Sequence, residues 1–296
     1  MVMIFCVCLT IICFSNALQN RLPLEQSDFF LRVAALQLYR ETSFLLCELV
    51  TGPSLYCVIN AFKTCGERID EATSVWLLLQ ISEAIAQMHS CGVIHGDIKT
   101  ENILMGNLDT LSLNSCGEAD FLRARIKIID FGSSVDAALY PSGTMFKGDA
   151  GTDTFGCEAA KNGLEWTVEP DLAGVAGTAH CLLFCEYMEL AQKVTESGAT
   201  KARPTRPFKR YWDVAFWEKL FDLLINEEGT AQDVAALCLK FLTDRCVHNH
   251  ASKMLPHSSS DSIFQKRLRG QSRQRARKNE GDCSKIFSDQ LTSHFL

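Results

Sequence analysis

The chain has 296 residues, 29 basic and 35 acidic side chains, a formal net charge of −6 and 47% hydrophobic residues. That apolar content excludes disordered, collagen-like and coiled-coil classes and suffices for a real core, in one large domain or two small ones. The negative balance argues against a dedicated nucleic-acid binder. The 14 cysteines are scattered, with no zinc-knuckle or redox CxxC spacing, and read as reduced, partly buried thiols rather than a disulfide framework.

Residues 1–14 carry no charge, and Ser15-Asn16-Ala17 could serve as a small-residue cleavage site. The stretch is signal-like but lacks a positive n-region, and it is shorter than the ~20 apolar residues that span a bilayer. It reads as a leader over 1–19: a secretory signal, a buried strand or helix of the adjoining domain, or a non-native start, the last being preferred. Residues 44–50 form a short apolar run that fits a buried strand ending in the turn Thr51-Gly52-Pro53. Ser54 can cap a helix through Lys63, with Leu55, Val58, Ile59 and Phe62 on one face. Asp70 or Thr73 opens a longer helix whose stripe runs from Val75 through Leu78, Leu79, Ser82, Ile85 and Ala86 to His89, closed by Cys91-Gly92.

Two short apolar pieces come next, 102–105 and 126–129, and then a polar stretch from Gly132 to Glu158. Helix is expected again over 172–190 and 211–225. The pattern is mostly helical with two or three short strand pairs, and it contains no internal repeat.

The chemistry is concentrated in His95-Gly96-Asp97-Ile98-Lys99-Thr100-Glu101-Asn102 and in Asp130-Phe131-Gly132. Phosphoryl transfer asks for this set of groups. One carboxylate must orient the attacking hydroxyl and accept its proton, and two oxygen donors must hold magnesium against a triphosphate. A cation then balances charge near the moving group. Asp97 suits the first role, Asn102 and Asp130 the metal, and Lys99 the last. The reading requires all four to meet around one divalent ion.

HxDxKxxN followed by DFG resembles the C-terminal lobe of a protein kinase. HGDIK at 95–99, the run DFGSSVDAALYPSGTMF at 130–146, the segment CELVTGPSLYCVINAFK at 47–63 and DLAGVAGTAHCLLF at 171–184 are similar to the Bub family of mitotic spindle-checkpoint serine/threonine kinases. The resemblance covers about residues 20–250. It implies an α+β, protein-kinase-like fold with a mostly helical C-terminal lobe and a truncated N-terminal lobe over 20–264, with a hinge near 48–54.

ATP and Mg2+ are the implied cofactors, with Glu48 at the hinge among the nucleotide-binding residues. His95, Gly132, Glu158 and Asp171 take structural roles: Asp171 fastens the catalytic loop, and Glu158 ends the activation segment. Gly96 replaces the arginine that grips a phosphorylated loop in many kinases, which implies control by other contacts. Thr144, Thr152 and Thr154 shape that segment, and Thr152 or Thr154 is expected to contact a substrate hydroxyl. Protein substrates of checkpoint or chromatin type, kinetochore partners, and a location in nucleus, kinetochore or cytoplasm are implied by the same resemblance. No membrane partner and no sequence-specific nucleic-acid contact are expected.

The sequence also departs from the family. The first glycine is Gly52 and the first lysine Lys63, so no glycine-rich phosphate loop or strand lysine precedes the hinge. The helix glutamate that would pair with that lysine should fall near residue 20, where Asn20 stands, with only Glu25 nearby. The chain is therefore read as a fragment or mis-started product of a longer kinase, or else as a degenerate kinase working as a scaffold. Weak ATP binding is expected in either case. HGD with a following asparagine also occurs in small-molecule kinases of aminoglycoside or choline type, but the long segment after Gly132 favours protein substrates. The C-terminal tail, 265–296, holds seven cations between Lys266 and Lys278 and reads as a solvated end, a nuclear localisation signal or a contact for acidic partners. Cys246, His248 and His250 lack a second cysteine in register for zinc.

Overall fold

In the computed structural model, residues 2–40, 42–106, 126–148, 150, 155–194, 198, 200–226 and 229–250 are described. The uncharged start is a continuous helix, α1 (Val2–Arg21). Phe14 and Leu18 at its inner side, and Leu22 just beyond its end, are buried. The leader is thus helical and packs on the residues that follow, and the boundary drawn at residue 20 falls inside this helix. Among the described residues, no helix is long and apolar enough to cross a membrane.

After the short helix α2 (Leu24–Ser27), strands β1 (Val33–Leu38) and β2 (Ser43–Cys47) pair antiparallel, with Leu36 opposite Leu45. One face of this hairpin lies toward α1, where Ser43 Oγ donates to Cys8 Sγ at 3.2 Å. Side chains alternate along a strand, and on the other face Phe44 and Leu46 are 45% and 63% exposed.

Helix α3 (Leu55–Thr64) is capped by Ser54, as its sequence predicts. Helix α4 (Glu71–Ser90) opens at Asp70, which accepts from Thr73 N at 2.9 Å. Val75, Leu78, Ile81, Ile85 and Met88 on α4 are completely buried. The helix is apolar on more than one face because two later helices pack on it.

Two small antiparallel pairs then frame the chemistry. Strand β3 (Val93–Ile94) pairs with β6 (Val135–Asp136), and β4 (Ile103–Met105) with β5 (Ile126–Ile128). The chain 93–105 thus runs against 126–136 as a single interrupted hairpin. Its two interruptions, 95–102 and 129–134, are forced to lie side by side. This nesting brings the HGDIK loop and the Asp130-Phe131-Gly132 turn together from distant parts of the sequence.

Helices α5 (Glu158–Lys161) and α6 (Glu169–Phe184) come next. The helix expected over 172–190 starts earlier and stops at Phe184, because Cys185 adopts a left-handed conformation at φ 56°. Cations satisfy the end: Lys63 Nζ donates to Cys185 O at 3.0 Å and an Arg68 guanidinium N–H to Leu183 O at 3.3 Å. The chain beyond forms a hairpin that the sequence does not announce, β7 (Leu190–Val194) with β8 (Thr200–Pro204). Helix α7 (Val214–Ile225) starts after its cap Asp213, three residues later than expected, and α8 (Ala231–His250) packs on α4. The result is the expected α+β architecture, helical apart from two-stranded sheets. The basic tail and the side chains of Cys246, His248 and His250 lie outside the described residues.

Candidate active site

Asp171, on the first turn of α6, holds the start of the loop at 95–102. It is completely buried. Its carboxylate accepts from the main-chain N–H groups of His95 and Gly96 at 2.9 and 2.8 Å and pairs with His89 Nε2 at 2.8 Å. Burial alone would raise its pKa, but the His89 hydrogen bond, the nearby histidines and the loop N–H groups outweigh burial and hold it below the ordinary value. Sequence alone gives His89 only as the last member of the helical stripe on α4. Nothing in the sequence pattern joins that histidine to Asp171, 82 residues further on.

Gly96 has a specific reason to be glycine. Its φ is +76°, and a Cβ there would stand 2.6 Å from Ser133 O. The position expected for an arginine is thus closed by the loop's approach to the turn after Phe131. Underneath, Gly174 of α6 lets the Ile98 carbonyl sit where a Cβ would come within 2.3 Å of it, and Ile98 itself is buried.

His95 links the two interruptions. Asp97 N donates to His95 Nδ1 at 3.2 Å, which leaves the ring proton on Nε2, facing Ile129 O at 3.1 Å. Burial pushes its pKa below the ordinary value, so the ring is neutral. A second bridge, Ile129 N to Asn102 O at 2.9 Å, places Asp130 one residue beyond the Asn102 backbone.

Asp97, Lys99 and Asn102 meet directly. Lys99 Nζ lies 2.7 Å from Asp97 Oδ2, and Asn102 Nδ2 donates to Asp97 O at 2.9 Å and Oδ2 at 3.2 Å. Asp97 Oδ1 is buried with no hydrogen-bond partner among the described residues. A buried carboxylate oxygen left unpaired is costly, so Oδ1 keeps an unused acceptor site. With Nδ2 of Asn102 committed to Asp97, its carboxamide oxygen is the end left for a cation.

Asp130 takes a left-handed conformation (φ 67°, ψ 73°) rare for a residue with a side chain, and accepts from Gly132 N at 3.3 Å. Its side chain is exposed. Phe131, by contrast, is buried against Phe14 of α1, Phe30 and His95, with centroids 6.4, 6.2 and 5.1 Å away. The buried ring fixes the turn while the neighbouring carboxylate stays open.

A hard divalent ion prefers oxygen ligands, and Asn102 and Asp130 offer two such donors, as a metal shared with nucleotide phosphates needs. Among the described residues, no group of three or more His, Cys, Asp or Glu could hold a metal by itself.

Other expected site residues stand differently. Glu48 directs its carboxylate to Lys127 Nζ at 2.9 Å. Glu158, expected at the end of the activation segment, opens the four-residue helix α5 with its side chain exposed. Thr152 and Thr154 lie outside the described residues, whereas Thr144 Oγ1 donates to Pro141 O at 2.7 Å in a local turn. Asn20 is in the last turn of α1, and the residue facing Phe131 is Phe14, further upstream. Next to Asn20, Arg21 makes a two-pronged pair with Asp136 at 2.8 and 2.7 Å and also donates to Cys91 O at 3.2 Å. This tie anchors the segment after Gly132, and no sequence pattern signals it.

Residues 24–155 match the family model "Protein kinase domain". The chain is similar to the mitotic checkpoint serine/threonine-protein kinase BUB1 of Arabidopsis thaliana, with 29% identity over 74% of this chain and 42% of that protein. It is 32% identical to the Mus musculus kinase of the same name over 71% of this chain and 19% of the relative. It is 31% identical to the Saccharomyces cerevisiae spindle assembly checkpoint kinase BUB1 over 69% of this chain and 20% of the relative. The chain therefore spans less than half the length of these relatives. Among solved structures, the BubR1 kinase domain is similar at a TM-score of 0.69 and 27% identity, covering 79% of this chain and 69% of that one.

Proposed function

Because the chain belongs to the Bub family of protein kinases, we propose that it transfers the γ-phosphoryl group of ATP to serine or threonine hydroxyls of proteins in the spindle checkpoint. Checkpoint or chromatin proteins are the substrates, and nucleus, kinetochore and cytoplasm the sites of action. The observation that carries this reading is the buried, partnerless Asp97 Oδ1, held beside Lys99 and Asn102.

Magnesium-bound ATP, when bound, would supply the electrophilic γ-phosphorus, with ADP as the leaving group. Asn102 and Asp130 would hold the metal. Asp97 orients the substrate hydroxyl and takes its proton through Oδ1, since Oδ2 is held by Lys99 and Asn102. Lys99 balances negative charge beside the acceptor. Residues 1–51 contain neither glycine nor lysine, so the described cleft lacks a phosphate loop and a strand lysine. ATP affinity of this chain is accordingly weak, with each missing oriented donor worth about 1.5–3 kcal/mol. That same composition favours a second reading, a kinase-like scaffold without turnover.

The test is transfer of labelled phosphate from millimolar ATP to histone or casein, comparing the chain with Asp97→Asn. Loss of about 10²–10⁴-fold in rate with unchanged folding is expected. Equal rates overturn the role of Asp97, and no transfer by the unsubstituted chain selects the scaffold reading.

A further inference from the structure

Lys127 plays no part in the proposed phosphoryl transfer, yet it is only 9% exposed and stands on β5, three residues before Asp130. A buried ammonium persists only where carboxylates pair with it. Its Nζ lies 2.9 Å from Asp28 Oδ1 and 2.9 Å from Glu48 Oε1. The same Glu48 oxygen accepts from Arg32 N at 2.9 Å, and Glu48 N donates to Arg32 O at 3.0 Å. The linker carrying Asp28 is itself bonded to β5, through Ile128 N to Phe29 O at 2.8 Å and Leu31 N to Ile128 O at 3.0 Å. Three separate stretches thus converge on one side chain: the linker before β1, the hinge after β2, and the strand that leads into Asp130.

We infer that Lys127 is a positioning residue, fixing the hinge at Glu48 relative to the strand that carries Asp130 and so setting the spacing between the two ends of the nucleotide site. The inference rests on the phosphotransferase reading. It also changes the part expected of Glu48, whose carboxylate acts on Lys127 rather than on the nucleotide.

The experiment titrates the full chain with fluorescent mant-ADP and magnesium, for the unsubstituted protein, Lys127→Met, Glu48→Ala, the double variant and Lys127→Arg. Each single loss weakens nucleotide binding roughly tenfold, as a small displacement of a positioned group does. The double variant binds no worse than either single one, because both remove the same tie. Lys127→Arg retains most of the affinity. Multiplying effects in the double variant, or loss confined to Glu48→Ala, overturn the inference in favour of direct contact by Glu48. Hydrogen exchange gives a second readout that needs no nucleotide: Lys127→Met speeds exchange at hinge amides 48–52 while α4 is unchanged. Unaltered hinge exchange overturns the role of Lys127 by itself, and absence of any mant-ADP signal from the unsubstituted chain overturns the kinase reading instead.

Discussion

The loop at 95–102 and the hairpin β1–β2 are held in opposite ways. The loop is pinned from below by a buried carboxylate, from the side by His95, and from the neighbouring turn by main-chain bonds. The hairpin rests on α1 with one face and leaves Phe44 and Leu46 open on the other. The groups that would handle a hydroxyl and a metal are therefore preorganised by the helical body. The groups that would face the rest of a nucleotide depend on thinner support, chiefly the Lys127 tie. Preorganisation is what electrostatic catalysis requires, and in this chain it is built into one side of the cleft.

The sharpest way to break that contrast is Asp171→Ala. The substitution leaves the N–H groups of His95 and Gly96 and the ring of His89 without their acceptor in a buried place. Destabilisation of about 3–5 kcal/mol is expected, the range for removing one partner of a buried charged network. Urea denaturation measures it, and the m-value reports whether folding stays two-state. A loss under about 1 kcal/mol, typical of an ordinary surface change, would mean the loop is not held by this acid.

Acid titration probes the same network more gently. His95 is kept neutral by burial, with a folded pKa below its ordinary 6.5, and His180 is shifted the same way by burial. As pH falls through 6.5, the unfolded chain takes up protons that the folded one refuses. Stability is therefore full above that value and declines below it, by at most about 1.4 kcal/mol per pH unit for each histidine. Asp171 acts further down: its stabilising contribution is present above its ordinary 3.8 and is lost as pH falls through its lower folded value. Urea midpoints between pH 7.5 and 5 check the histidine part, and His180→Gln should remove its share of the slope. A flat profile over that interval would mean that neither ring resists protonation.

The sequence is most legible where local chemistry decides the structure. Ser54 caps the helix it is expected to cap, Asp70 is the one of the two candidates, Asp70 and Thr73, that caps α4, and the apolar pieces near 102–105 and 126–129 pair with each other. The meeting of Asp97, Lys99 and Asn102 is legible because they lie on one short loop. Reading fails where tertiary partners override local signals. Helix α6 ends at a left-handed cysteine with no glycine to announce it, its carbonyls being met by Lys63 and Arg68 from about 120 residues away. The uncharged leader gives no helical stripe, since its inner contacts, Phe14 on Phe131 among them, do not follow from polarity. Lys127, Arg21 and His89 escape notice for a shared reason: each acts through an acid distant in sequence, and no spacing rule connects them.

The smallest expected effect tests the open side of the comparison. Leu46 is opposite Ala35 on the outer face of the hairpin and 63% exposed. Replacing it with serine removes little buried apolar surface, so folding stability should change by no more than about 0.5 kcal/mol, as for surface positions generally. Its neighbour Leu45, on the face toward α1 and opposite Leu36, provides the internal contrast. Leu45→Ser should destabilise by about 1–2 kcal/mol, because part of that side chain is removed from water. Urea midpoints for the two variants separate the faces in one measurement. Equal losses at both positions would mean that the outer face is covered in the folded chain, and the asymmetry between loop and hairpin would then vanish.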